Sequence, residues 1–117
     1  MQTPTQRTLA WLRQDGWTAA VVERWNAHTK QRQDLFGFAD IIAFRADQVL
    51  LVQATSDSNL ASRVTKCQGN KTAREWMAAG NALWCVGWRK RPWKRKDGRK
   101  AARGRWTPRV VDLRQCD

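Results

Sequence analysis

Apolar residues cluster into a few dense runs along the chain, separated by polar and charged stretches. The densest lies between residues 36 and 54. Residues 36–44 and 49–54 are rich in β-branched and aromatic side chains, and only Arg45-Ala46-Asp47-Gln48 interrupts them. That gap has hairpin length, so the pattern predicts two adjacent strands. Nearly every position in both runs is apolar, which suits strands covered on both faces. Upstream, Leu9, Trp11 and Leu12 form an apolar stripe over residues 5–14, and Pro4 fits a first helical turn. Asp15-Gly16 ends that helix. Residues 17–25 read as a strand with Trp17, Ala19, Val21, Glu23 and Trp25 on one face. Residues 26–33 are polar and basic, and read as a loop.

Downstream, Ser56-Asp57-Ser58-Asn59 is a dense group of helix-capping residues. A helix is predicted over 60–68, broken at Gly69-Asn70, resuming over 72–79 and closed by Gly80. Residues 82–89 form a fourth apolar strand. A charge run from 91 to 105 turns at Asp97-Gly98, and a last strand spans 106–113, with Pro108 placing it at an edge. The order is α-β-β-β-α-β-β, a mixed central sheet flanked by helices within a single domain over residues 1–117.

Charge changes this picture. Twenty-two Lys and Arg against ten Asp and Glu leave a net charge of +12, with a pI near 11.1. Such a surface calls for a polyanion, and nucleic acid fits best. No apolar run is long enough to span a membrane, and no long basic amphipathic helix suggests a membrane surface. The N-terminus lacks an apolar signal-peptide core, and Cys67, Cys85 and Cys116 are scattered with no C-x-x-C pair. Reduced thiols in a cytoplasmic protein are expected, without a disulfide frame or a zinc knuckle.

Two polar residues interrupt the greasy strand pair, Asp40 and Gln53. A buried aspartate is costly unless it is hydrogen-bonded, paired or bound to a cation. The reading of Asp40 is therefore either a structural carboxylate bonded to backbone or a metal ligand. His28, the lone histidine, lies in a polar stretch and carries no assigned chemistry.

The element order, with Asp40 on the second strand and a polar pair on the third, resembles the restriction-endonuclease-like PD-(D/E)XK nuclease superfamily. The phrase GFADIIAF followed by VLLVQAT looks most like its Holliday-junction-resolvase-like and VRR-NUC branches, and the likeness covers residues 5–89. The resemblance implies that Asp40 and Gln53 bind Mg²⁺ or Mn²⁺, with Gln53 in the place of the usual acidic residue and Thr55 in that of the lysine. An amide oxygen is an acceptable ligand but carries no charge, so a further carboxylate is expected to compensate. Glu23 is the first candidate and Asp34 the next; the first helix offers only Gln6. Lys66, with Arg63 one turn earlier on the same helix face, is expected to replace the missing lysine or to meet phosphate. Thr55 itself is expected to cap the helix after it.

The C-terminal segment supplies the densest charge. Arg89, Lys90, Arg91, Lys94, Arg95, Lys96, Arg99, Lys100, Arg103 and Arg105 surround Trp93, with Trp88 and Trp106 at the ends. The expected structure is a basic hairpin or arm over about 88–109, its tip near 96–99. Its cations would meet phosphates and its indoles would stack on bases or sugars. No base-reading pattern is evident, so recognition of backbone and structure is expected, with little sequence specificity. Two functions are open on these grounds: a Mg²⁺-dependent endonuclease acting on DNA, branched DNA included, or a catalytically degenerate DNA- or RNA-binding protein on the same fold. Relatives that cut both strands pair two sites, so the resemblance also admits a homodimer.

Overall fold

The computed structural model describes residues 2–91 and 104–115. Helix α1 (Pro4–Gln14) opens with a capping box: the Thr3 hydroxyl accepts from the Gln6 N–H, and the Gln6 side chain accepts from the Thr3 N–H. Strands β1 (Thr18–Val21), β4 (Ile41–Arg45), β5 (Gln48–Ser56), β6 (Ala82–Arg91) and β7 (Arg105–Asp112) form one sheet in the order β1-β4-β5-β6-β7. Only β5 and β6 run parallel. Their crossover carries a 3₁₀ turn (Asp57–Asn59) and helices α2 (Leu60–Gln68) and α3 (Lys71–Ala78). The described residues thus form a mixed α/β fold with a five-stranded sheet and three α-helices. No helix among the described residues is long and apolar enough to cross a membrane.

Each sheet face buries its own core. On one side α1 lays Leu9, Trp11 and Leu12 against Trp17, Ile41, Val52, Val86 and Trp88. On the other, α2 and α3 bury Leu60, Cys67 and Ala73 over Phe38, Leu51, Leu83 and Cys85. The doubly apolar pattern of β5 is explained by this sandwich: Leu50 through Thr55 are all buried. The covering is incomplete at the β4–β5 turn, where Phe44 is 53% exposed.

The α2 approach to the sheet depends on Gly87. A Cβ there would lie 3.0 Å from the Leu60 Cβ and 3.1 Å from the Asp57 Cα. Gly87→Ala is expected to cost about 1–3 kcal/mol, the usual penalty of overpacking a dense core. A urea unfolding midpoint unchanged by this substitution would mean that the crossover sits farther from the sheet.

Three expected elements differ. The strand expected over 17–25 is two strands in two sheets: after β1 the chain leaves the sheet at Val22, and β2 (Arg24–Asn26) pairs only with β3 (Gln31–Gln33). The common face expected of that strand is lost with it, since Trp17 is buried while Val21 and Trp25 are exposed. The stretch expected to be a loop, 26–33, therefore contains β3 and the turn of a small ribbon. The Asn26 side chain closes that turn by accepting from the His28 and Thr29 N–H groups. Finally, residues 36–40 are not a strand. Phe36 and Gly37 take left-handed φ values of 57° and 81°, closing a tight turn bridged by Leu35 and Ala39.

Candidate metal centre

The strand pair expected around Asp40 places it one residue before β4. Its backbone is pinned on both sides: the Asp40 N–H donates to the Val52 carbonyl, and its carbonyl accepts from the Val22 N–H, both at 2.9 Å. Its side chain then turns onto β5. Oδ2 accepts from the Ala54 N–H and from the Gln53 Nε2, each at 2.8 Å. The carboxylate thereby takes the place of a ladder carbonyl on β5, and its position is fixed by backbone. Both readings of Asp40 meet here, because its carboxylate is bonded to backbone through Oδ2 and also faces the Asp34 and Glu23 carboxylates.

One carboxylate oxygen from each of Glu23, Asp34 and Asp40 lies within 4.8 Å of the other two. Glu23 stands at the foot of β2 and Asp34 at the foot of β3, so the small ribbon delivers two carboxylates to the one anchored in the sheet. Gln53 is 2% exposed, and its Oε1 is buried without a hydrogen-bond partner. A buried amide oxygen left without a partner is costly unless something meets it. The Glu23, Asp34 and Asp40 carboxylates supply hard oxygens, the kind of ligand that Mg²⁺ and Mn²⁺ prefer. The residues fit such an ion.

Without a cation, crowding and burial act on Asp40. Its pKa is pushed up to about 8, chiefly by burial and then by a hydrogen bond shared with Asp34, with the Asp34 and Glu23 charges adding to the rise. The Ala54 N–H pulls the other way. Cations meet the outer carboxylates: Arg32 lies 3.1 Å from Glu23, and the Lys66 Nζ lies 3.9 Å from Asp34. Arg32, Asp34, Arg63 and Lys66 line a cavity of about 590 Å³ beside the cluster. The expected face of α2 thus opens toward the site, and Lys66 stands at Asp34.

No protein-family model, curated protein or solved structure matches the chain.

Asp40, Gln53 and Glu23 come together as expected, and Asp34, the second candidate behind Glu23, joins them as an equal. Gln6 is held in the α1 capping box. Thr55 is buried within β5, and the helix after it starts from a 3₁₀ turn whose cap residues Ser56 and Asn59 make no side-chain cap bond. Trp88 corrects another expectation. It is 7% exposed, and its Nε1 donates to the Thr8 hydroxyl at 2.9 Å, so it is core and offers no face to a base. Trp106 is 44% exposed, with the Arg7 guanidinium 3.7 Å above its ring. Arg89, Lys90, Arg91 and Arg105 are exposed on β6 and β7. The remaining arm residues, Trp93, Lys94, Arg95, Lys96, Arg99, Lys100 and Arg103, lie outside the described residues, as does Cys116.

Sequence reasoning missed Arg32 and the ribbon that carries it. Strands of three residues, with Trp25 their one apolar side chain, give no period-two signal to find. The thiols of Cys67 and Cys85, far apart in sequence, sit 3.8 Å apart on α2 and β6. Cys85 is held protonated by its hydrogen bond to the Cys67 sulfur and by burial.

Proposed function

We propose that this chain is a nucleic-acid-binding protein with a restriction-endonuclease-like core, and that it is a Mg²⁺-dependent endonuclease acting on DNA phosphodiesters with little sequence specificity. One observation carries the reading: Asp40, locked onto β5, bonded by the Gln53 amide and joined by the Glu23 and Asp34 carboxylates, adjoins a cavity lined by Arg63 and Lys66. Asp40, Glu23, Asp34 and Gln53 would hold the ion, and a divalent ion there would supply a water of lowered pKa and a Lewis acid for the phosphoryl oxygen. The chain's own part is positional and electrostatic. Arg63 and Lys66 draw a backbone phosphate to the edge of the carboxylate cluster. Lys66 stands where its charge offsets the negative charge that develops on a phosphate under attack. The exposed cations of β6 and β7 would add further phosphate contacts. A reducing cytoplasm suits the two unbonded thiols.

A catalytically silent binding protein is the second reading. It is favoured by Gln53 and Thr55, which stand where the superfamily carries an acidic residue and a lysine. Incubation with linear and branched DNA in Mg²⁺ or Mn²⁺ separates the two. Metal-dependent cutting that disappears in Asp40→Ala is the expected result. Cutting that survives in Asp40→Ala would remove Asp40 from the site, and tight, salt-sensitive binding without any cutting would favour the silent protein.

A further inference from the structure

We propose that the β2–β3 ribbon is a docking surface for an unpaired nucleic-acid strand, with Trp25 as its stacking platform and Arg32 as the group that couples strand binding to the carboxylate cluster. The inference rests on the nucleic-acid reading above and adds a substrate class to it.

The ribbon is built in a way that its own stability does not explain. Its strands pair only with each other over three residues, and a two-stranded ribbon of this size is marginal in water. Yet it presents Trp25 at 61% exposure, the most exposed of the large apolar side chains among the described residues. Tryptophan so placed gains nothing for the fold. Between residues 24 and 33 the sequence carries Arg24, Lys30 and Arg32 and no acidic residue. Trp25, Arg24, Arg32 and the exposed Val21 line a cavity of about 290 Å³ that reaches Glu23. An indole face beside guanidinium groups is the arrangement that takes a base by stacking and its phosphates by charge. A base inside a duplex does not offer its face, so the occupant is single-stranded.

The root of the ribbon gives docking a consequence. Glu23 and Asp34 flank its two strands, and Arg32 ion-pairs with Glu23 at 3.1 Å while its own side chain remains 70% exposed. Arg32 therefore has two possible partners within reach, the Glu23 carboxylate and an incoming phosphate. A phosphate that draws Arg32 away frees a negative charge for a divalent ion. By linkage, the strand and the ion each strengthen the binding of the other.

Two measurements on the full chain test this. The first is the binding of a fluorescent oligothymidine in EDTA, where no cutting occurs. Trp25→Ala is expected to weaken binding about tenfold, and Trp25→Phe to restore most of it. Equal affinity in wild type and Trp25→Ala, or no binding of the oligonucleotide by wild type, overturns the proposal. So does a wild-type dimer in sedimentation that Trp25→Ala dissociates without loss of oligonucleotide binding, which would assign Trp25 to a second copy of the chain. The second is Mn²⁺ affinity with and without a phosphorothioate oligonucleotide. Wild type is expected to bind Mn²⁺ more tightly with the strand present. Arg32→Gln is expected to bind it tightly in both conditions, and a strand effect that persists in Arg32→Gln overturns the coupling. A protein that cuts nothing but shows the Trp25 effect refutes the nuclease and leaves the ribbon's role intact.

Discussion

Gln53→Glu is expected to destabilise the metal-free protein and to tighten its hold on a divalent ion. The Gln53 amide is the donor that satisfies Asp40 Oδ2 at 2.8 Å. A glutamate in its place offers no hydrogen when ionised and adds a fourth carboxylate to three that already lie within 4.8 Å. Removing a buried donor and leaving like charges unpaired costs about 2–4 kcal/mol. A bound cation reverses the balance, because the added charge becomes a ligand. Urea unfolding in EDTA should therefore show the variant weaker than wild type, and saturating Mn²⁺ should raise the variant by more. Paired with Thr55→Lys, the substitution also rebuilds the Glu-X-Lys pattern, so a gain of cutting is expected if Gln53 and Thr55 are what limit the chemistry. A variant as stable as wild type in EDTA would mean that the side chain at 53 does not face the cluster.

Asp40→Asn should remove most of what a divalent ion does to this protein. Asparagine keeps the shape and can still accept from the Ala54 N–H, but it carries no charge and binds no proton. Cutting should fall by at least about 10²-fold, the scale set by losing one preorganised charged group. The pH dependence of stability gives a second, independent readout. Asp40 in the folded protein holds its proton up to about pH 8, because burial and Asp34 disfavour its charge. In the unfolded chain it loses that proton near the ordinary value of about 4. Between these two values the folded state binds more protons than the unfolded state. Its contribution to stability is therefore fully present below about pH 4 and is lost as pH rises toward 8. Metal-free wild type should weaken across that window, and Asp40→Asn should lose that part of the slope. Mn²⁺ should bind better as pH rises through the same range, since the ion displaces the proton. A wild-type profile without this decline would show that Asp40 ionises freely and that the cluster is open to water.

Much of this site is legible in the sequence because its central residues sit on strongly patterned elements. Asp40 and Gln53 stand out by being polar in runs that are otherwise apolar, and the hairpin that joins their strands fixes their relation. The crossover from β5 to β6 is equally plain, since Gly69-Asn70 breaks an amphipathic run and Asn70 caps helix α3 by accepting from the Ala73 N–H. The errors fall where tertiary contacts override local pattern. Residues 17–25 alternate well enough for one strand, yet pairing with β4 ends at the bond from the Val22 N–H to the Asp40 carbonyl, and β2 pairs with β3 instead. Phe36 and Phe38 read as strand residues because they are aromatic, but Gly37 lets the chain fold back between them. Trp88 reads with the basic arm because its neighbours are cations, and only the Thr8 hydroxyl on the far side of the core shows where it belongs. The restriction-endonuclease-like core stays a proposal that the strand order and the carboxylate placement support.

The most direct test is a crystal grown above pH 8 and soaked in Mn²⁺, read by anomalous diffraction. We expect one peak among the oxygens of Asp40, Asp34, Glu23 and Gln53 Oε1, at bond lengths of about 2.0–2.3 Å. A saturated crystal with no peak there, or with Mn²⁺ bound only elsewhere, would contradict the metal centre and the nuclease built on it.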